Sequence, residues 1–282
     1  MTPLHQGYIL MIAAAMLIPL GDAVAKLAHA QLGAPIAFMA WSRFALGAVL
    51  LAPFALARGT RLAELTRTAV ILRGLAISAT VYLILQGVAR APLANVYGAF
   101  FIAPLISFAL AVLLLKERPG AARYALIGLG FLGVLLVAGP GSAMPPGLIF
   151  ALAAGVFYGI YLTASRAMSG AHRAMAMLWA QLIIGGVVLA PFAFAGTLPS
   201  GALFGFYVLL SASSSVLANY LILLAYQKVQ ASRLAPLVYV QLIAATVYGA
   251  VVFRTIPDLA GLAGLGLLLA SGLGAIALRQ RG

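Results

Sequence analysis

An all-α integral membrane protein, with ten transmembrane helices in two inverted five-helix repeats, is the fold this sequence predicts, and three observations predict it. The first is composition: of 282 residues 65% are hydrophobic and 7% charged, against roughly 25% charged residues in a soluble domain. The second is run length. Apolar residues come in stretches of about 20, the length at which a helix crosses a hydrocarbon core of roughly 30 Å. The third is that the chain repeats itself at a shift near 140 residues. Strands of a membrane barrel would alternate apolar and polar residues. Unalternating runs in lipid have to be helices, because no water is present to satisfy a bare backbone.

Polar residues, Pro and Gly delimit the spans at roughly 7–28, 34–57, 69–89, 92–115, 122–139, 147–166, 173–195, 203–226, 233–253 and 258–278. Span one carries IPLGDAVAKL at 18–27, with Asp22 and Lys26 one turn apart and Pro19 near its centre. Its Ala28-His29-Ala30 has the form of a cleavage site. The n-region MTPLHQG lacks Lys and Arg, however, and Asp22 interrupts the apolar run, so an uncleaved first helix is expected. Span two holds Trp41 and Arg43, span three Ser78 and Tyr82, and span four Asn95, Tyr97, Phe101, Pro104 and Ser107. Pro19 and Pro104 are expected to kink their helices and to offer hinges. Span five contains Gly128, Gly130 and Gly133, which formally fit G-x-G-x-x-G. No strand precedes them and no αβ unit follows, so they read as close helix packing, like Gly155 and Gly159 in span six. Spans six to ten carry Tyr158 and Tyr161, then Trp179, then the SASSS run with Asn219, then Tyr239 and Gln241, and finally a nearly uninterrupted apolar stretch. The connections are short, among them RGTRLAELTR, KERPGAAR and GPGSAMPPG. None is long or polar enough for a soluble domain, so function must be performed within the membrane.

Basic residues set the orientation, because cytoplasmic loops accumulate Lys and Arg. With ten spans, thirteen of them from Arg58 to Arg281 fall on one side, while Lys26, Arg90 and Arg254 fall on the other and Arg43 lies within a span. Both termini are therefore expected in the cytoplasm. The same distribution accounts for the formal charge of +13. Nucleic acid is not an expected partner, since the basic residues are dealt out loop by loop and not gathered on one face.

The internal repeat is direct. WSRFALGAVLLAPFALA at 41–57 matches WAQLIIGGVVLAPFAFA at 179–195 at a shift of 138, which makes Trp41 and Trp179 counterparts. YLIL at 82–85 meets YLIL at 220–223, and at a shift of 140 Lys26 falls on Arg166. Residues 1–140 and 141–282 are the two units. Five spans is an odd number, so the second unit enters the membrane upside down. Secondary transporters are built this way, with the substrate site near the midplane between the halves.

Other classes fit poorly. The absence of cysteine excludes disulfides and thiolate metal sites. A membrane enzyme needs convergent acids, histidines or a metal, and this chain has four acids and three histidines, with Glu64 in a loop and His5 and His172 near span ends. No P-loop is present, and no cofactor or metal is expected. A channel differs from a carrier in conducting without saturation or counterflow.

The segment ARAPLANVYGAFFIAPLISFALAVLLLKERPG (89–120) resembles the fourth-helix signature of EamA-type transporters in the drug/metabolite transporter (DMT) superfamily, with Pro104 mid-helix and Glu117 before a Pro-Gly turn. The Gly21-to-Lys26 stretch and AYQKVQASRLAPLVYV (225–240) are similar to that pattern too, and the resemblance spans essentially the whole chain. Where Glu117 would recur in the second half the chain has Arg254-Thr255. The resemblance, closest to bacterial amino-acid exporters, implies a central cavity walled mainly by spans one, three, four, six, eight and nine. It also implies outward movement of small metabolites, here neutral or aromatic amino acids, across a bacterial inner membrane by a monomer or homodimer. Partners are then the lipid bilayer and an amino-acid-like solute.

Polar and aromatic residues deep in those spans are candidate wall positions, since a polar group facing lipid is costly. They are Ser78, Tyr82, Asn95, Tyr97 and Phe101 in the first half, and Tyr158, Trp179, Tyr239 and Gln241 in the second, with Asp22 from span one. Aromatic rings suit an apolar side chain, and hydroxyls and amides suit a zwitterion's ends. Packing is the alternative for Trp41, Trp179 and the serines. Asp22 lies about 9 to 12 Å deep and must be paired or protonated. Lys26 on the same helix face and Arg43 at similar depth are its candidate partners. Either the pair is structural, or Asp22 faces the cavity and serves a substrate ammonium or a coupling proton.

Overall fold

The computed structural model describes residues 2–57, 59–60, 67–114, 116, 120–139, 144–168, 174–229 and 234–279, the side chains of 235, 236 and 276–279 excepted. The loop acid Glu64, His172 and the Glu117 turn of the family signature lie outside the described residues. Among those described, all regular structure is helical. α1 (Pro3–Leu32) begins on Thr2, whose hydroxyl accepts from the His5 N–H, and ends on Gly33, whose φ of 65° turns the chain through the left-handed region. α2 (Ile36–Ala57) returns and α3 (Thr68–Arg90) crosses again. Then follow α4 (Leu93–Phe100), α5 (Ala103–Leu114), α6 (Ala121–Ala138), α7 (Pro146–Ala167), α8 (Ala174–Ala193) and α9 (Ala202–Lys228). A 3-10 turn (Ala235–Tyr239) leads into α10 (Val240–Phe253), and α11 (Leu259–Arg279) closes the chain.

Two expectations are corrected here. Span four is two helices and not one kinked helix, because Pro104 at the second position of α5 has no N–H to continue the ladder to the Phe100 carbonyl. Pro19, by contrast, sits inside an unbroken α1. Among the fully described residues eight spans are long and apolar enough to cross a membrane, with Leu93–Leu114 counted as one, and Leu237–Phe253 and Leu259–Ala275 are shorter apolar stretches. The 3-10 turn at the start of span nine takes residues that a full-length helix would use.

α1 packs on α9, α3 on α7, α2 on α8 and α6 on α11, so each of these pairs joins a helix before residue 140 to one after it. Glycine sets the closest approach. A Cβ on Gly133 would lie 2.8 Å from the Gly264 carbonyl oxygen and one on Gly264 2.6 Å from that of Gly133, so α6 and α11 touch backbone to backbone. Within G-x-G-x-x-G it is Gly133 that makes this contact and Gly130 that faces Ser271, while Gly128 faces open space and is not a packing position. Across α2 and α8 the indole N–H of Trp41 donates to the Gly186 carbonyl and that of Trp179 to the Ala48 carbonyl, each at 2.9 Å. The two bonds interchange at a shift of 138 residues. Large apolar side chains such as Val49, Leu113, Phe192 and Val251 stand exposed on the outer surface, where lipid, not water, is the compatible solvent.

Candidate functional site

Asp22 and Arg43 meet between α1 and α2, only 2% and 5% exposed, with Nη1 2.5 Å from Oδ1. The Tyr97 hydroxyl, from α4, donates to the other carboxylate oxygen at 2.7 Å. Arg43 Nε donates to Ser211 Oγ of α9 at 3.1 Å, and Ser211 in turn donates to the Gly21 carbonyl at 3.0 Å. Arg43 Nη2 is buried without an acceptor. The cluster forms because α1 carries Gly21 next to the acid: a Cβ there would lie 3.1 Å from the Ser211 carbonyl and 3.6 Å from Nη2. Four helices thus converge on one carboxylate. Among the described residues this is the only salt bridge.

Lys26 is not part of it, which corrects the expectation of an intrahelical pair. Its ammonium donates to the Ala91 carbonyl at 2.6 Å, in the link between α3 and α4, and lies 5.1 Å from the Phe253 ring centroid. A backbone carbonyl and an aromatic face reward it near the helix end, and Arg43 reaches Asp22 across the interface with a planar fork that a lysine lacks.

Asp22, Arg43 and Tyr97 wall a cavity of about 120 Å³. Phe44, Phe100, Tyr158 and Tyr161 supply its aromatic surface, and Thr80, Gln181, Asn219 and Gln241 its uncharged polar surface. It adjoins a second space of about 340 Å³, with Phe100, Tyr158 and Gln241 common to both. Phe101, Pro104 and Tyr239 wall this second space, which extends to Arg123 at the start of α6 and Ala275 near the end of α11. The Phe101 and Tyr239 rings lie 4.9 Å apart. At the opposite end of the bundle the helices are tied together. Tyr207 donates to Gln31 at 2.7 Å, Lys26 holds Ala91, and Phe38, Trp41, Phe194 and Phe204 form a contiguous aromatic patch.

Ser78, Tyr82, Asn95 and Trp179 lie outside these walls, which corrects their placement as cavity residues. Ser78 is buried and donates back to the Gly74 carbonyl. Tyr82 packs on the apolar core. Asn95 points toward Gly261 of α11, and Trp179 spends its N–H on Ala48. For Ser78 and Trp179 a backbone carbonyl satisfies the polar group away from the passage. Phe44, Thr80 and Gln181 wall the cavity without being singled out by the sequence; for Gln181 the signal is the repeat itself, where it stands opposite Arg43 in WAQL against WSRF. Arg73, one of the basic residues that set the orientation, is 7% exposed. It donates to Ser165 Oγ at 2.7 Å, the Met177 carbonyl at 3.1 Å and the Tyr161 hydroxyl at 2.7 Å. Tyr161 passes its own proton to Gln181 at 3.0 Å.

Helices that bundle around a charged, aromatic-walled passage define a class, the membrane carriers that bind small solutes between their halves. The chain belongs to the EamA-like transporter family, whose model matches it twice, at residues 5–139 and 145–276. It is 26% identical over 234 residues to an S-adenosylmethionine uptake transporter of Rickettsia felis, covering 82% of this chain and 79% of that one. It is also 26% identical to one of Rickettsia bellii, covering 82% and 80%. The namesake of Rickettsia prowazekii is 24% identical over 223 residues, covering 78% and 76%. A crystal structure superposes on 98% of both chains with a TM-score of 0.68 at 19% identity, a likeness of fold alone. The chain is a transporter and not an enzyme, and among the described residues no group of three or more acids, histidines or cysteines stands where a metal could bind.

Proposed function

We propose that the protein is an alternating-access carrier of the bacterial inner membrane that exports neutral and aromatic amino acids. Two inverted repeats, 1–140 and 141–282, would rock about the central cavity, with both termini in the cytoplasm. The observation that carries this reading is the buried Asp22–Arg43–Tyr97 cluster at the closed end of an aromatic-walled passage. It places charge where a solute's head group needs it and rings where an apolar side chain needs them. The double family match and the reciprocal tryptophan bonds support the repeat. The thirteen basic residues support the orientation, which makes the space near Arg123 the cytoplasmic mouth and Lys26 and Gln31 part of the outer closure. One chain walls the whole passage, so transport needs a single protomer, alone or within a homodimer.

The rickettsial relatives favour a second reading, exchange of S-adenosylmethionine. That molecule shares the α-ammonium and α-carboxylate of an amino acid on a longer scaffold with an aromatic end. The Tyr158 and Tyr161 rings, stacked 5.6 Å apart at 15°, offer faces to such a base. Liposome counterflow decides. Purified protein is expected to exchange labelled phenylalanine saturably against internal unlabelled phenylalanine. Exchange of S-adenosylmethionine alone would select the second reading, and flux without saturation would indicate a channel.

A further inference from the structure

We propose that the cavity recognises the carboxylate end of its solute, with Arg43 as the anchor, and leaves the ammonium end unrecognised; this rests on the carrier reading above. Donors and acceptors at the closed end are unbalanced. Asp22 supplies the one carboxylate in the wall, and both of its oxygens are taken, by Arg43 Nη1 and by the Tyr97 hydroxyl. An ammonium group arriving there meets a carboxylate whose charge Arg43 already balances. Arg43 is in the opposite condition. Nη1 and Nε are engaged, but Nη2 is buried with no acceptor, a state that costs free energy until an acceptor arrives.

A second guanidinium, that of Arg73, lies toward the other end of the bundle, where among the described residues its acceptors are uncharged, Ser165, the Met177 carbonyl and Tyr161, and its carbon lies 4.4 Å from the Tyr161 ring centroid. Of the chain's four acids only Asp22 and Asp258 are described, and Asp258 accepts from the Gly261 N–H at the start of α11, outside the cavity wall. In the cavity wall itself the charged side chains are Asp22 and Arg43, and Arg43 Nη2 is the donor left without an acceptor. A carboxylate brings two acceptor oxygens in the planar arrangement a guanidinium fork matches. One oxygen takes Nη2 while Asp22 keeps Nη1. Because Nη2 is packed beside Gly21 of α1, the oxygen enters as α1 eases away from α2, which ties binding to helix movement. The solute's apolar part then lies along Phe100 and Tyr158.

The test separates the two ends of one molecule. Thermal unfolding of the full-length protein in detergent is followed with 3-phenylpropionate, which has only the carboxylate, and with phenethylamine, which has only the ammonium. Both are also used as competitors in phenylalanine counterflow. 3-Phenylpropionate is expected to raise Tm and to compete, and phenethylamine to do neither. Arg43→Lys keeps a cation opposite Asp22 but removes Nη2 and the Nε bond to Ser211, so, with its own ligand-free Tm as the reference, it should weaken 3-phenylpropionate binding roughly tenfold or more. Asp22→Asn with Arg43→Gln removes both charges together and should abolish the preference between the two probes. Phenethylamine binding as well as 3-phenylpropionate, unchanged binding in Arg43→Lys, or no response to either probe would overturn the proposal. A Tm response without counterflow would refute the carrier reading and leave the anion site standing. Counterflow that only amines inhibit would do the reverse.

Discussion

Asp22, Arg43 and Ser211 tie α1 and α2 to α9, and Tyr161, Gln181 and Arg73 tie α7 and α8 to α3. Arg43 and Gln181 stand 138 residues apart, as do Ser211 and Arg73, and Tyr161 stands one position before Leu162, on which Asp22 falls at the 140-residue shift of span one. Corresponding or neighbouring positions therefore meet in both halves, but an acid and its base occupy one and a phenol and an amide the other. Backbone contacts recur, as the Trp41 and Trp179 bonds do, because helix packing depends on small residues and on N–H groups seeking carbonyls. The charges do not recur. A bound solute has two different ends, and an electrostatically symmetric cavity would hold it equally well either way round.

The largest test of this comparison is Asp22→Asn against Gln181→Leu. Removing one member of a buried ion pair costs about 3–5 kcal/mol, and Asn, which still accepts a bond, should fall toward the low end. Gln181→Leu loses one neutral hydrogen bond, about 1 kcal/mol. Thermal unfolding should rank them so, and counterflow in Asp22→Asn should fall at least roughly tenfold, the equivalent of about 1.4 kcal/mol. Adding Arg43→Gln should recover stability but not transport, since the anchor is then gone. Equal costs for the two single variants would make the halves equivalent.

Next in size is Tyr161→Phe. It strips one acceptor from Arg73, a charge-assisted bond worth about 1.5–3 kcal/mol, and its effect on unfolding should lie between the previous two. Glycines give a finer comparison. Gly185 and Gly47 are counterparts, and a Cβ on the first would lie 2.3 Å from a Phe44 ring carbon, whereas one on the second would lie 2.9 Å from a terminal methyl of Leu182. The ring is rigid and walls the cavity; the leucine end can move. Gly185→Ala should therefore cost about 1–3 kcal/mol and slow transport, with Gly47→Ala the milder of the two in both assays. The smallest effect is expected where the halves agree. Trp41→Phe and Trp179→Phe each lose one indole bond, and their unfolding free energies should match within about 1 kcal/mol.

Much of the fold was legible in the sequence by itself. Run length and hydropathy placed the helices, the 138-residue match paired Trp41 with Trp179, and Gly130, Gly133, Gly155 and Gly159 marked close approaches, because each depends on local chain chemistry. The presence of a deep acid was equally plain, since lipid leaves Asp22 few options. Its partner was not, and neither was the break before Ala103 or the inward role of Arg73. Only the tertiary structure decided that Arg43 and not Lys26 holds Asp22, and that Ser78, Tyr82, Asn95 and Trp179 turn away from the passage while Thr80 and Gln181 face it. The physical reason is that lipid tails are as apolar as leucine. A helix in a bilayer has no solvent-facing polar stripe to fix its rotation about its own axis, and that rotation is set by the fit of side chains from helices distant in sequence.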